Sequence, residues 1–305
     1  MKSITANRKG LCSSKKSEIL FAYVLLIPAL LILSIVMFYP ILKGIVMSFY
    51  DYTFFTMHNP KWNNFANYAK IFKDGILFRN LTNTLIYVIG SVSLQLIIAL
   101  PLALLLNSDI RGRNFFRGAF LMSWTVPTLV TSLIWALLFQ PQYGLWNYIM
   151  YSFGLISDSN MQWLQSPQLA KVTIIIATVW RQTPYMLIMI LAGLQSVKKD
   201  LLEAASLDGA NSIQVFKNVI LPSISTVLGT TVLIAVLDAF QQFTIIYNMT
   251  AGGPMNSTTT LSIAAYKEAF INHDIGAGSA IGVIWLVLLA TITCIFNIKA
   301  KRFEE

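Results

Sequence analysis

Six apolar runs punctuate the chain, at about 19–42, 82–106, 117–139, 169–194, 219–246 and 276–298. Each is near the roughly 20 residues that an α-helix needs to cross hydrocarbon. Polar segments separate them, so the pattern predicts an all-α membrane protein: a six-helix bundle over 19–298, with a basic tail at 1–18 and a short basic end at 299–305. The first run is longer than a signal-peptide core and lacks a convincing small-residue cleavage site, which marks a retained anchor. One polar stretch, 198–222, stands apart, because it is too polar to cross a bilayer and too short to be a domain. Within it Leu201 to Asp208 is helix-forming, and Ala204 and Ala205 offer a surface free of bulky side chains. Gly209, followed by Asn211, is a helix stop, Ser212 to Asn218 predicts a second short helix, and Pro222 opens the next run. A helix, a glycine turn and a helix on the membrane surface form a protrusion suited to a partner's cleft.

Of the 305 residues only 11% are charged and 56% are apolar, and the mean hydropathy of +0.64 excludes an ordinary soluble protein. The net charge of +9 is placed unevenly. Fourteen cations flank one side: Lys2, Arg8, Lys9, Lys15 and Lys16; Arg111, Arg113 and Arg117; Lys198, Lys199 and Lys217; Lys299, Lys301 and Arg302. Six flank the other: Lys43, Lys61, Lys70, Lys73, Arg79 and Lys267. The positive-inside rule then puts both termini and the Glu203 loop in the cytoplasm. The basic tail is suited to contact with anionic membrane lipid. Nucleic acid is not indicated, since no basic face interleaved with aromatics is visible. Cys12 and Cys294 lie too far apart in the pattern to meet, so no disulfide and no metal pair is expected. His58 and His273 stand alone, and there is no Gly-rich phosphate loop ending in Lys-Ser or Lys-Thr. No catalytic residue, bound cofactor or metal is therefore expected on this chain.

The fourth run carries Trp180-Arg181-Gln182-Thr183-Pro184-Tyr185, and an arginine in hydrocarbon is costly unless it faces water or a carboxylate. Asp238, in the fifth run beside Gln241 and Gln242, is such a carboxylate. Counted from Glu203 and Pro222 at 1.5 Å per residue, Arg181 and Asp238 lie ~33 and ~24 Å along their helices, which brings them to comparable depth. Thr178, Gln182 and Tyr185 share one helical face, and Asp238 and Gln242 share another. Two readings stay open here. These faces line a route for a polyhydroxyl solute, or Arg181 and Asp238 form a helix-to-helix ion pair. Intramembrane charges also serve ion-driven transporters, but those usually carry internal repeats, and none is visible between the two halves.

The stretch Glu203-Ala204-Ala205, three residues ending in Asp208, Gly209, nine residues, Val219, Ile220, Leu221-Pro222 resembles the coupling signature of the permease subunits of binding-protein-dependent ABC importers. Val219 replaces the usual Ile. The extension Ser206 to Asn211 is most similar to the carbohydrate-uptake, maltose-type branch. The resemblance implies a six-transmembrane-helix ABC importer permease bundle in a bacterial or archaeal cytoplasmic membrane. It implies that Glu203, Ala204, Ala205, Asp208, Gly209, Leu221 and Pro222 belong to coupling helices seated in a separate ATPase subunit. A second homologous permease, two ATPase subunits that hold ATP and Mg, and an extracytoplasmic solute-binding protein are the implied partners. The implied function is import of a sugar or oligosaccharide by alternating access. In that branch the sugar contacts come from the fourth and fifth core spans. Tyr185 and Gln242 match those places, whereas Gln182, Ala235 and Asp238 depart from the maltose-type residues, which argues against maltose itself. Thr250-Ala251-Gly252-Gly253-Pro254 resembles the family's turn after the fifth span, and Asn83-Thr84 its pattern at the start of the second. Trp163, in the loop between the third and fourth spans, and Gly252, Gly253 and Pro254 are then candidates to face the binding protein, an aromatic interfacial belt being the other reading for the Trp163 loop.

Overall fold

The computed structural model describes the backbone of residues 9–304 and the side chains of residues 20–298. The lipid contact expected of the basic tail, the Cys12 thiol and the cations from Lys299 to Arg302 lie outside the described side chains. Four helices are long and apolar enough to cross a membrane: Leu20–Met47, Ile76–Asn107, Pro167–Gln195 and Ile275–Ile298. Two bent pairs bring the number to six, namely Arg113–Thr125 with Thr128–Leu138 and Ser212–Ser223 with Ser225–Gln241. The first helix begins at Lys9, inside the segment read as a tail.

Spans two and four form the centre of the bundle, with span five against both. Ala99, Ala103 and Ala177 are completely buried there, and an added Cβ at Gly90 would come within 2.9 Å of Ile175. Small residues let the backbones approach closely, which drives association where no hydrophobic effect operates between helices. Span one differs, because none of its most apolar window is buried within this chain. Among the long helices its Tyr39–Met47 portion packs chiefly against the last, and the rest of span one stays exposed within this chain.

The third span is not one continuous helix but is interrupted at Pro127. Its halves meet at 92°, a break rather than a kink. Pro127 supplies no N–H, and the residue before a proline is pushed out of the helical region, so Val126 is extended at ψ 128°. The fifth span is also shorter than the run 219–246. Its helix bends by 70° near Ile224, ends at Gln241, and resumes only at Thr244–Thr250. Irregular backbone at membrane depth is tolerated where it lines a cavity or is buried in protein.

Long-range hydrogen bonds fix the far ends. Asn67 Nδ2 donates to the carbonyls of Ser48 and Tyr50, both at 2.9 Å, and so holds the surface helix Ala66–Lys73. Asn83 Nδ2 donates to the carbonyls of Asn256 and Thr259 at 3.0 and 3.2 Å, and Thr84 Oγ1 accepts from the Leu261 N–H at 3.0 Å. The Asn83-Thr84 pair thus ties span two to the turn after span five.

Candidate functional site

Two sites take shape on this frame, a protruding loop and a membrane cavity. In the loop, helix Lys199–Leu207 starts with Asp200 in its first turn, where a carboxylate complements the helix dipole. It ends in a double hydrogen-bonded turn, the Ala210 N–H to the Ala205 carbonyl at 3.0 Å and the Gly209 N–H to the Ser206 carbonyl at 3.1 Å. That geometry puts Gly209 at φ +75°, where glycine carries no Cβ penalty. Asn211 and Gln214 then bond reciprocally, at 3.0 and 2.8 Å, to cap helix Ser212–Val215. Helical backbone continues from Ser212 through Leu221 and Pro222 to Ser223, so the loop is joined without slack to helix Ser225–Gln241. Glu203, Ala204, Asp208 and Gly209 are exposed and Ala205 is half-buried. Leu207 is 89% exposed and Ile213 68%, an apolar pair that the sequence reading did not single out.

The cavity lies where the breaks of spans three and five meet span four. It has a volume of about 440 Å³ and is lined by Arg181, Gln182 and Tyr185 from span four and by Asp238, Gln241 and Gln242 from span five. Trp124 and Thr128, from the two sides of the Pro127 break, complete it. Arg181 Nε donates to the Val126 carbonyl at 3.3 Å, so the guanidinium holds the corner of the broken span. The Trp124 ring stacks on Tyr185 with centroids 5.8 Å apart. Arg181 and Asp238 line the same cavity, and among the described residues the salt bridges join Lys70 to Asp274 and Arg113 to Asp109 rather than these two. Gln242 sits in the gap of span five, its backbone extended, and its Oε1 accepts from the Ile245 N–H at 3.4 Å.

Thr178 stands behind this cavity rather than in it. Its hydroxyl is buried against Tyr87 Oη at 2.8 Å, and it shares with Gln95 and Ala235 an adjoining crevice of about 10 Å³, room for about one water. Gln95, Tyr87, Trp124, Thr128 and Gln241 had not been named as candidates. The amide at 95 in an apolar run was the one available signal. The arrangement offers a carboxylate, a guanidinium, three amides and stacked aromatic faces around one water-sized to solute-sized space. These are the donors, acceptors and apolar faces that replace water around a polyhydroxyl molecule.

Two of the outward-facing candidates sit inside the protein. Trp163 is buried with Phe139, and its indole N–H donates to Asn147 Oδ1, so it props its own loop and offers no face to a partner. Gly252 is buried too, because at φ +83° a Cβ there would come within 2.6 Å of Thr259 Oγ1 and 2.9 Å of Lys267 Nζ. Gly253 and Pro254 are half-buried, and Met255, 86% exposed, is the tip of the turn.

Residues 95–304 match the family of binding-protein-dependent transport system inner membrane components. The chain is 33% identical over 291 residues to the trehalose/maltose transport system permease protein MalF of Thermococcus litoralis, covering 95% of this chain and 97% of that one. It is 32% identical over 277 residues to the sulfoquinovosyl glycerol transport system permease protein SmoG of Agrobacterium fabrum, covering 91% and 89%. Among solved structures, a bacterial alginate ABC transporter in complex with an alginate pentasaccharide-bound periplasmic protein has a chain of the same fold, with a TM-score of 0.80 at 19% identity over 95% of this chain and 96% of that one. With the broken-span bundle and the loop geometry, these matches make the chain a member of the binding-protein-dependent transport system inner membrane components, the permease subunits of ABC importers.

Proposed function

We propose that this permease forms one half of a path for a sugar or oligosaccharide, released to it by an extracytoplasmic binding protein and moved by alternating access. The observation that carries the reading is mechanical. The exposed helix pair hinged at Gly209 continues through Ser212–Ser223 and, across a 70° bend at Ile224 with no intervening loop, into the helix that bears Asp238. A push on the loop therefore moves a wall of the cavity. ATP and Mg belong to two ATPase subunits, in which Glu203 makes the charged contact, Ala204 and Ala205 the close one, and Leu207 and Ile213 the apolar one. Leu221 and Pro222 carry the motion into span five. A second, homologous permease completes the pore and covers span one. Both termini and the loop face the cytoplasm, as the distribution of cations supports.

In the cavity, solute hydroxyls donate to Asp238 and the glutamine carbonyls and accept from Arg181 and Tyr185, while Trp124 stacks on the sugar's apolar face. The relatives named for trehalose/maltose and sulfoquinovosyl glycerol support the solute class. The test is a panel of solutes, each with its binding protein, scored for stimulation of ATP hydrolysis by the complete complex in liposomes. Stimulation by a saccharide is expected; stimulation only by amino acids or ions overturns the reading.

A further inference from the structure

A second polar cavity, of about 380 Å³, lies between the first turn of span two and segment Lys267–Ile271 and shares no residue with the solute cavity. Arg79, Asn80, Lys267 and Glu268 line it, with Asn256 at its edge. Asn80 is 2% exposed, and among the described residues nothing hydrogen-bonds its Oδ1. Asn83, one turn further along the same helix face, by contrast donates from its amide nitrogen to two carbonyls of the turn after span five. A buried acceptor left without a donor forfeits the hydrogen bond it had to water in the unfolded chain, a loss that a hydroxyl placed in the cavity would make good.

The charges point the same way. Neither Arg79 nor Lys267 forms a salt bridge among the described residues, and Glu268 Oε2 is engaged by Asn272 Nδ2 at 3.1 Å. Lys267 Nζ has Asn256 Oδ1 as an acceptor at 3.1 Å. Burial and the nearby Arg79 charge hold the Lys267 ammonium below the usual lysine range, so two cations crowd a space that holds one carboxylate. Ile271 in its lining is 52% exposed, and Phe78 and Phe270, next in sequence to Arg79 and Ile271, are 60% and 68% exposed, apolar surface of the kind found where hydrocarbon gives way to headgroups.

We propose that this cavity binds an anionic group that carries a hydroxyl, with Arg79 and Lys267 on the anion and Asn80 Oδ1 accepting from the hydroxyl. A phosphatidylglycerol headgroup and a free hydroxylated phosphate share that chemistry. The test is native mass spectrometry of the full complex, titrated with phosphatidylglycerol, phosphatidylcholine and glycerol phosphate. Phosphatidylglycerol should bind at least tenfold more tightly than phosphatidylcholine, and Arg79→Gln with Lys267→Gln should remove that preference. Asn80→Asp, which keeps the shape and adds a negative charge, should weaken binding tenfold or more. Equal binding of glycerol phosphate would identify a free solute as the source, and binding of the lipid alone would identify the membrane. Should the double variant not assemble, Arg79→Gln alone, at an exposed position, should still lower the preference severalfold. Equal binding of the two lipids by the unaltered protein, or an unchanged preference in the assembled variants, overturns the proposal.

Discussion

The Glu203 loop and the cavity around Arg181 and Asp238 are built on opposite principles. In the loop the hydrogen bonds that shape the turn are local: Gly209 bonds back to Ser206 and Ala210 to Ala205, and Asn211 opens the next helix through Gln214, all within five residues. The contacts that join one span to another around the cavity are distant, with Arg181 reaching Val126 and Trp124 stacking on Tyr185. The loop can therefore hold its shape while the bundle rearranges, and the cavity changes shape whenever the spans move. A rigid input attached to a deformable output is what the transmission of force from a partner demands.

Substitutions in the two regions should separate accordingly. The largest effect is expected from Arg181→Met, which removes both the support of the Val126 corner and a cavity donor; uptake should fall about 100-fold while ATPase docking, read by co-purification, is unchanged. Loss of docking with this variant would break the distinction. Trp124→Ala should weaken solute affinity about fivefold by removing the ring stacked on Tyr185, an interaction worth about 1 kcal/mol, as measured by solute-stimulated ATP hydrolysis. Asn211→Ala should destabilise the second loop helix by about 1 kcal/mol. Hydrogen exchange should then quicken over 212–215 but not in the spans. The smallest effect, about 0.6 kcal/mol, is expected of Tyr87→Phe, seen as a slight drop in the unfolding midpoint with loop exchange unaltered.

The same division explains what was legible in the sequence. The loop could be read because glycine turns and capping residues act over a few positions; only the exposure of Leu207 and Ile213 escaped, since apolar residues in a short helix pattern look like buried ones. The six spans were legible from hydropathy, and the approach of Arg181 and Asp238 to one cavity from simple counting. The 92° corner was not, because Pro127 marks a weak point without setting an angle, and the angle depends on a span-four side chain 55 positions away. The gap at Gln242 carries no proline or glycine to announce it. Trp163 was placed at the surface because a tryptophan in an uncharged loop looks interfacial, whereas its N–H is satisfied by Asn147 inside the protein. Gly252 was read by its place in a turn, while its packing against Thr259 and Lys267 depends on residues further along the chain.

The central claim is that the Gly209-hinged loop transmits the work of ATP hydrolysis to the cavity. Gly209→Val tests it cleanly, since a Cβ there meets no other atom within 4 Å and the cost, about 1–2 kcal/mol, falls on the left-handed backbone alone. Uptake and ATP hydrolysis should be measured together in liposomes holding the complete complex, with Glu203→Lys alongside. The account predicts that both variants remain in the membrane with solute uptake reduced tenfold or more per ATP hydrolysed. Unaltered uptake per ATP in both would contradict it.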